Sequence, residues 1–192
     1  PADIPIWVDS PMGLAALDVY RDREFAGEIG PEFRGRPFIR LPNLREARSK
    51  EESIRLNSPA RPSIVISSSG MATGGRVVHH LHDMLPDARN SVVFTGFQSP
   101  GTRGRALVDG ATELKMYGRY VPVRAEILQD REFSVHADAS DLMDWLTEMV
   151  PRPQVVYCVH GERESAIALA RRIKDDLGIL AVVPKMAEVV RL

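Results

Sequence analysis

Short apolar runs alternate with segments of helical hydrophobic spacing along this chain of 192 residues. The pattern predicts three successive units, each a strand followed by a helix. The first has a strand over Ile4–Val8 and a helix over Met12–Phe25, and the second has a buried-type strand over Ser63–Ile66 and a helix over Arg76–Met84. The third has a strand over Ser91–Thr95 and a helix over Arg105–Asp109. Ser10 and Pro11 are typical start signals for the first helix. Strands that alternate with helices predict an α/β fold built on a parallel sheet with right-handed crossovers.

The pattern changes after residue 111. Apolar positions there predict strands over Glu113–Tyr117 and Tyr120–Leu128 that pair antiparallel around a turn at Gly118. The remaining predicted elements are a helix over Ala139–Val150, a strand over Gln154–Val159, a helix over Glu162–Leu177, and strands around Ala181–Val183 and Glu188–Arg191. The segment 27–61 is rich in Gly, Pro and Arg and predicts at most one short helix, around Asn43–Leu56. Because the alternation of strand and helix ends near residue 111, we place a domain boundary between residues 110 and 125.

Charge is unevenly distributed, although the net charge is only −1. Residues 1–32 hold seven acidic residues against Arg21 and Arg23, whereas residues 33–61 hold eight Lys and Arg residues against three Glu. The basic segment is compatible with attraction of a polyanion and with an ordinary solvated linker face.

Cys158 is the only cysteine, so a disulfide framework within the chain is excluded. A reducing, cytoplasmic setting fits this composition. The chain has no apolar stretch long enough for a membrane span and no leader pattern. Because it begins with Pro1 rather than Met, we expect a fragment of a longer protein.

Two glycine-rich loops follow predicted strands, over Ser67–Gly75 and Gly96–Gly104. In a parallel sheet they would lie side by side at one sheet edge. The glycines of the first loop permit close backbone approach, and the helix after it presents unpaired amides, a combination that suits a phosphate. Ser69 and Gly70 are the candidate contacts. A plain tight turn that needs positive φ explains the same glycines, and the loop matches neither a Walker loop nor GxGxxG.

Two of the five histidines, His136 and His160, end short apolar runs just before predicted helices. Such positions face the crevice where open α/β sheets bind ligands, although a structural imidazole is an alternative for each. Asp138 is expected to be a helix N-cap rather than a metal ligand. Two histidines cannot complete a zinc site. The other histidines are interpreted as surface or groove residues of a helix: His79, His80 and His82.

The motifs together carry a resemblance that none carries alone. They are Ile4–Met12, Ser67–Met71, Gly74–Arg76, Thr95–Phe97, Gly101–Thr102, Phe133–Asp138 and Val159–Glu162. In this order and spacing, the chain resembles the β-CASP branch of the metallo-β-lactamase superfamily, which contains RNA-processing nucleases. The resemblance implies a parallel-sheet, Rossmann-like β-CASP cap domain over residues 1–120. Residues 121–192 would be the returning C-terminal segment of a metallo-β-lactamase αββα domain that carries RNA specificity.

The resemblance also implies roles for individual residues. His136 matches a catalytic histidine that contacts the scissile phosphate or assists proton transfer, and His160 matches a zinc ligand. Ser134 matches a position that contacts the RNA phosphate in relatives. In complete relatives, two zinc ions would clamp the phosphate and activate a bridging water, while a histidine opposite protonates the leaving oxygen.

The chain departs from the family pattern because His-x-His-x-Asp-His, the further His and Asp ligands and the motif A acid are absent. Asp9 falls in the family's Asp-Ser-Pro-Met segment, so we expect it to cap a helix rather than replace that acid. The favoured hypothesis is that the chain is the C-terminal part of a zinc-dependent ribonuclease that acts on single-stranded RNA. No membrane partner is expected, and the question of a homodimer stays open. By itself this part would retain little zinc and cleave no RNA.

Two alternatives belong to other classes. One is a catalytically silent relative that binds RNA or a nuclease partner as a scaffold. The other is an unrelated nucleotide-binding module that uses Ser67–Gly75. The presence of both His136 and His160 favours the enzyme, since a scaffold has no chemical need for either.

Overall fold

The computed structural model describes residues 3–22, 30, 41–130, 132–134 and 136–190. The chain divides into two compact units, residues 1–134 and residues 135–192. Both units mix helices with short strands, which confirms the predicted α/β class. None of the described helices is long and apolar enough to cross a membrane.

The first unit contains most of the elements. In chain order they are β1 (Ile6–Asp9), α1 (Pro11–Arg21), β2 (Leu44–Glu46), α2 (Lys50–Arg55), β3 (Ile64–Ser67), α3 (Arg76–Met84), β4 (Ser91–Phe94), α4 (Arg103–Val108), β5 (Glu113–Met116), β6 (Arg119–Pro122) and β7 (Glu126–Gln129). The second unit contains α5 (Ala139–Glu148), β8 (Val155–Tyr157), α6 (Arg163–Leu177) and β9 (Leu180–Val182).

Parallel pairing dominates, as predicted, but the described strands form several small sheets rather than one. In the first unit, β1 lies between β2 and β3, β4 pairs with β7, and β5 pairs antiparallel with β6. In the second unit, β8 pairs in parallel with β9. Because β3 and β4 belong to different described sheets, the two glycine-rich loops do not follow neighbouring strands of one sheet edge.

Helix starts follow the local signals. The Ser10 hydroxyl accepts a hydrogen bond from the Gly13 amide at 3.0 Å, which confirms it as the N-cap of α1. This helix ends at Arg21, whereas the predicted end at Phe25 lies outside the described residues. Helix α3 has the predicted bounds. Helix α4 begins earlier than predicted because Thr102 caps it by accepting from the Arg105 amide.

Strand predictions fail where pairing is long-range. Strand β2 has only one strongly apolar residue, Leu44, and shows no alternation that would reveal its pairing with β1. The predicted strand Tyr120–Leu128 divides into β6 and β7. Between β6 and β7, the amides of Arg124 and Ala125 both donate to the Leu85 carbonyl, so this part of the backbone does not continue the pairing with β5.

Strand β3 is not a buried strand. Ile64 and Ile66 are 49% and 52% exposed, whereas Val65 between them is partly buried. The prediction of a buried-type strand was wrong because a continuous apolar run does not reveal which of its two faces is covered.

Each unit has its own core. In the first unit, α3, α4 and the β5–β6 hairpin contribute most of the buried side chains, including Val78, Leu81, Leu85, Phe94, Leu107, Leu114, Met116 and Val121. In the second unit, the core cluster comes from α5, α6 and the approach to β9, and its buried residues are Met143, Leu146, Ile173 and Ile179. The helices supply these side chains from one face each, as amphipathic helices do.

The C-terminal end forms a turn. The Lys185 amide donates to the Glu188 carboxylate at 2.6 Å, and the Glu188 amide donates to the Lys185 carbonyl at 3.1 Å. A strand around Glu188–Arg191 was predicted, but residues 188–190 form none, and Arg191 lies outside the described residues. The turn satisfies the amides of Lys185 and Glu188 and the Lys185 carbonyl without a strand partner.

Candidate functional site

The glycine-rich loop Ser67–Gly75 is anchored to the end of β1. Asp9 and Ser67 are register partners in the β1–β3 pair, and the Ser67 hydroxyl donates to the Asp9 carbonyl at 2.9 Å. The Ser10 and Ser68 hydroxyls are hydrogen-bonded at 2.8 Å. These bonds hold the loop rigidly against the start of α1.

Gly75 ends this loop as the N-cap of α3, with φ of +76°. A Cβ atom there would lie 3.3 Å from the Ser68 carbonyl oxygen, so both the backbone angle and the space favour glycine. Gly70 is exposed with nothing near its missing side chain, and the Ser69 hydroxyl contacts the Thr73 hydroxyl at 3.0 Å. The tight-turn explanation therefore accounts for Gly75, and phosphate contact by Ser69 and Gly70 stays a prediction.

The two glycine-rich loops contact each other directly. The Gln98 side-chain amide donates to the carbonyls of Gly70 and Gly96, and the Gly104 amide donates to the Met71 carbonyl at 3.1 Å. A Cβ atom on Gly104 would lie 1.8 Å from Gln98 Oε1. The loops are therefore neighbours, as predicted. Hydrogen bonds between the loops hold them together, although the strands that precede them, β3 and β4, belong to different described sheets.

Asp9 is completely buried beneath α3 and does not cap α1. One carboxylate oxygen accepts from Ser53 and the other from Arg76, at 2.6 and 2.5 Å. His80 Nε2 donates to the first of these oxygens at 2.6 Å. The expectation that Asp9 is a helix cap was wrong because Ser10 takes that position, which directs Asp9 to the interior.

Opposing effects act on the Asp9 carboxyl. Burial alone would raise its pKa, but the hydrogen bonds from Ser53, Arg76 and His80 outweigh burial and hold the pKa below its ordinary value. Asp9 is therefore an ionised group held by three donors in the interior of the first unit.

His80 is buried, which corrects its interpretation as a surface or groove residue. Its Nδ1 atom lies 2.6 Å from the Asn57 side-chain oxygen, while the Asn57 side-chain nitrogen donates to Asp83. Asn57 must direct its NH₂ group to the Asp83 carboxylate, so its oxygen accepts from His80. His80 therefore links the Asp9 carboxylate to the Asn57 side chain through its two ring nitrogens. The signal was the four-residue spacing of Arg76 and His80, which places both on one helix face.

Part of the basic segment is neutralised within the first unit. Arg48 donates to Asp18 at 3.0 Å and to Glu46 at 2.8 Å, and Arg21 also pairs with Glu46. Hydrogen bonds from these arginines lower the pKa values of Asp18 and Glu46. Arg48 therefore serves the structure, whereas Arg34, Arg36 and Arg40 lie outside the described residues.

In the second unit, His136 is an exposed residue just before α5. Asp138 is the N-cap of this helix, since its carboxylate accepts from the amides of Ser140 and Asp141 at 2.7 and 3.0 Å. Asp141 reciprocates by accepting from the Asp138 amide, which completes a capping box. The backbone donors from Asp141 and Ser140 lower the pKa of Asp138. The N-cap prediction is confirmed.

His160 is an exposed residue at the sharp turn between β8 and α6. Its φ is +70° and that of Gly161 is +92°, and Glu162 then caps α6 without a side-chain hydrogen bond. A side chain on Gly161 would meet open space, so the backbone angle alone favours glycine there. Within the described part of the chain, neither His160 nor His136 has a hydrogen-bonding partner.

The structure distributes the predicted site residues over both units. Ser69, Gly70 and the exposed Ser134 belong to the first unit, and His136 and His160 belong to the second. Among the residues described, no three His, Cys, Asp or Glu side chains are grouped so that they could hold a metal ion. The individual roles of these residues therefore stay predictions.

The small parallel sheets, with a helix or glycine-rich loop after most strands, define an α/β protein. A family model described as the Beta-Casp domain matches residues 1–107, and one described as the Zn-dependent metallo-hydrolase RNA specificity domain matches residues 120–184. The chain therefore belongs to the β-CASP branch of the metallo-β-lactamase superfamily, as its motifs predicted.

Curated relatives agree with this assignment. Ribonuclease TTHA0252 from Thermus thermophilus is 37% identical over 170 residues, covering 87% of this chain and 38% of its own length. An RNase J-like protein from Methanocaldococcus jannaschii is 31% identical and covers 95% of this chain and 41% of its own length. Transcription termination factor FttA from Pyrococcus abyssi is 33% identical, and the match covers 99% of this chain and 31% of the length of that protein. The chain thus spans about two fifths or less of these relatives.

Proposed function

We propose that the complete protein is a zinc-dependent ribonuclease that hydrolyses phosphodiester bonds of single-stranded RNA. The observation that carries this proposal is the exposed His160 imidazole, which has no hydrogen-bonding partner in the described part of the chain and lies at a turn of positive φ. This turn falls inside the segment that matches the Zn-dependent metallo-hydrolase RNA specificity domain. The relatives named as ribonuclease and RNase J-like protein support the reaction class.

The described residues do not fit a complete zinc site. Zinc sites in catalysis use three protein ligands, and no such group of side chains exists among the residues described here. We therefore assign His160 a single ligand position, with the other ligands supplied from outside these residues. Asp138 is not assigned to the metal because its carboxylate caps α5.

His136 is assigned to the substrate. Its exposed imidazole lies just before the capped start of α5, where no described side chain competes for its ring nitrogens. A neutral imidazole accepts a proton and an imidazolium donates one near neutral pH. His136 would thus contact the scissile phosphate or protonate the leaving oxygen, a role that contributes about 10² to 10⁴ in rate.

The phosphate backbone of RNA is assigned to hydroxyls and amides of the first unit. Ser134 is exposed, and Gly70 leaves open space above the loop. Ser69 adds a hydroxyl beside Gly70. Such neutral donors position a phosphate backbone without sequence information.

We also propose the division of the chain into a Rossmann-like β-CASP cap, residues 1–120, and the returning segment of a metallo-β-lactamase αββα domain, residues 121–192. The matched ranges 1–107 and 120–184 support this division. The compact units instead divide at residue 134, because β7 pairs with β4 in the first unit.

A cytoplasmic location is proposed from the lone Cys158.

The test is a cleavage assay on the complete protein with single-stranded RNA that carries either a 5′-monophosphate or a blocked end. We expect zinc-dependent cleavage that a chelator abolishes. His160→Ala should lose bound zinc and activity, whereas His136→Ala should keep its zinc and lose kcat. Lys174→Gln, an exposed substitution on α6, serves as the control.

The outcomes separate the hypotheses. If the zinc-loaded complete protein leaves every RNA intact, the nuclease proposal is wrong. RNA binding without cleavage would instead favour a catalytically silent RNA-binding relative. Retained zinc and activity in His160→Ala would contradict the ligand assignment alone.

A further inference from the structure

A shallow depression of about 420 Å³ lies beside the turn that joins β5 to β6. It is lined by His79, His82 and Asp83 from α3 and by Tyr117 and Arg119 from the hairpin. All five residues belong to the first unit. None of them has a role in the hydrolysis proposed above.

The backbone of Tyr117 is unusual for its residue type. Tyr117 and Gly118 form the two-residue turn of the hairpin, with φ values of +49° and +77°. Two-residue turns with positive φ at both positions favour Asn-Gly, and a bulky side chain there is strained. The Tyr117 residue is 57% exposed, so burial does not explain the choice of tyrosine. Strained positions of this kind occur often at ligand-binding sites.

The Tyr117 ring is held by two imidazoles of α3. It stacks on His79 with ring centroids 5.1 Å apart and contacts the His82 ring edge to face at 5.6 Å. The Tyr117 hydroxyl also lies 3.2 Å from His79 Nδ1. These contacts orient the ring while more than half of the residue stays open to solvent.

The depression contains a guanidinium that is free to pair with an anion. Asp83 is already engaged, since its carboxylate accepts from Asn57 and pairs with His82, each at 2.6 Å. Arg119 is exposed and has no hydrogen bond or ion pair in the part of the chain that the structure describes. The Arg119 guanidinium is therefore available to pair with an anion beside the ring. The described side chains form no metal-binding group here.

We propose that this depression binds a nucleotide of single-stranded RNA, with the base stacked on Tyr117 and the adjacent phosphate paired with Arg119. The inference rests on the proposed function, which makes RNA the substrate. A preoriented aromatic ring accepts any base, and a neighbouring guanidinium contacts the backbone. The site is a second contact for RNA that is independent of His136 and His160.

The test is fluorescence anisotropy with a labelled single-stranded oligoadenylate of about ten nucleotides, within the usual site size of such surfaces. The 192-residue chain and the complete protein are both titrated. Tyr117→Asn removes the ring but suits the positive φ, so the hairpin is kept. Tyr117→Phe keeps the ring. Tyr20→Gln is the matched control, because Tyr20 has the same exposed fraction of 57% and lies on α1.

Stacking predicts that Tyr117→Asn weakens binding about tenfold, whereas Tyr117→Phe and Tyr20→Gln stay close to the parent chain. Arg119→Gln should reduce the salt dependence of binding by about one phosphate contact. An oligomer of abasic nucleotides should bind the parent chain as weakly as oligoadenylate binds Tyr117→Asn. Circular dichroism of each variant establishes that the fold is kept.

Absence of RNA binding by the parent chain and the complete protein would overturn this inference, as would wild-type affinity of a folded Tyr117→Asn variant. Hydrolysis by the complete protein with binding that does not depend on Tyr117 would overturn it and leave the proposed function intact. Conversely, binding that depends on Tyr117 without any hydrolysis would support this site and contradict the proposed function.

Discussion

His80 Nε2 lies 2.6 Å from Asp9 Oδ2 in the interior of the first unit. Ser53 donates to the same oxygen, and Arg76 donates to the other. Arg76 also donates to the Ala47 carbonyl, so the buried carboxylate joins β1, α2 and the start of α3. Since α3 directly follows the glycine-rich loop, these contacts attach the helix at the end of that loop to β1.

Asp9→Asn should destabilise the first unit by about 3 kcal/mol or more, because it leaves the Arg76 guanidinium without its buried anionic partner. Chemical denaturation measures the loss. Asp109→Asn is the control, since Asp109 forms an exposed pair with Arg105 and should cost at most about 1 kcal/mol. Equal effects of the two substitutions would contradict a buried ion pair.

Acid should remove the contribution of Asp9. The pKa of Asp9 is lower in the folded chain, so its stabilisation is fully present above the unfolded pKa of about 4 and is lost as the pH falls through the folded pKa. The difference in unfolding free energy between the parent chain and Asp9→Asn should shrink below about pH 4. A difference that stays constant from neutral pH to acid would contradict the lowered pKa.

Gly104→Ala should separate the two glycine-rich loops. The added methyl group would displace the buried Gln98 side chain and its hydrogen bonds, at a cost of about 1 to 3 kcal/mol. Gly96→Ala is the matched control because a side chain there meets open space. In a Gln98→Ala background, Gly104→Ala should cost less, and additive effects in this double-mutant cycle would show that the two residues are not coupled.

Asp138→Ala should destabilise α5 by about 1 kcal/mol because it removes the N-cap acceptor. Asp138→Asn should retain most of that stability, since asparagine is an equally good N-cap. Amide hydrogen exchange of the first turn of α5 reports the effect locally. Equal loss in both variants would indicate that the charge of Asp138, rather than its cap, is what matters.

Gly161→Ala should lower the zinc content of the complete protein without removing the His160 imidazole. Alanine strains the turn at φ of +92°, which displaces the histidine before it. Gly178→Ala imposes a similar strain at the opposite end of α6, where φ is +68°. Metal analysis should find normal zinc in Gly178→Ala and reduced zinc in Gly161→Ala. Equal zinc in both would contradict the role assigned to the turn.

Much of the local structure could be predicted from the sequence. The bounds of α3, the N-caps Ser10 and Asp138, and the turn at Gly118 depend on neighbours within a few residues. The exposure of β3 and the separation of β7 from β6 depend on which distant segment packs or pairs there. Such information is not present in a local hydrophobic pattern.

The same distinction applies to the candidate site. The exposed positions of His136 and His160 follow from local turns and helix starts, whereas the burial of His80 depends on Asp9, which is 71 positions away. The ring contacts of Tyr117 were equally invisible, because its partners His79 and His82 belong to another element. Local rules therefore accounted for turns and helix starts and missed the polar contacts that join distant segments.

The buried carboxylate of Asp9 also joins segments that are synthesised at different times. Its three side-chain partners are Ser53, Arg76 and His80, so the complete set exists only after the growing chain has passed residue 80. Contacts between residues so far apart form slowly because a long loop must close first. Strand β1 is thus translated before both strands that flank it, β2 and β3, and its place at the centre of that sheet depends entirely on contacts distant in sequence.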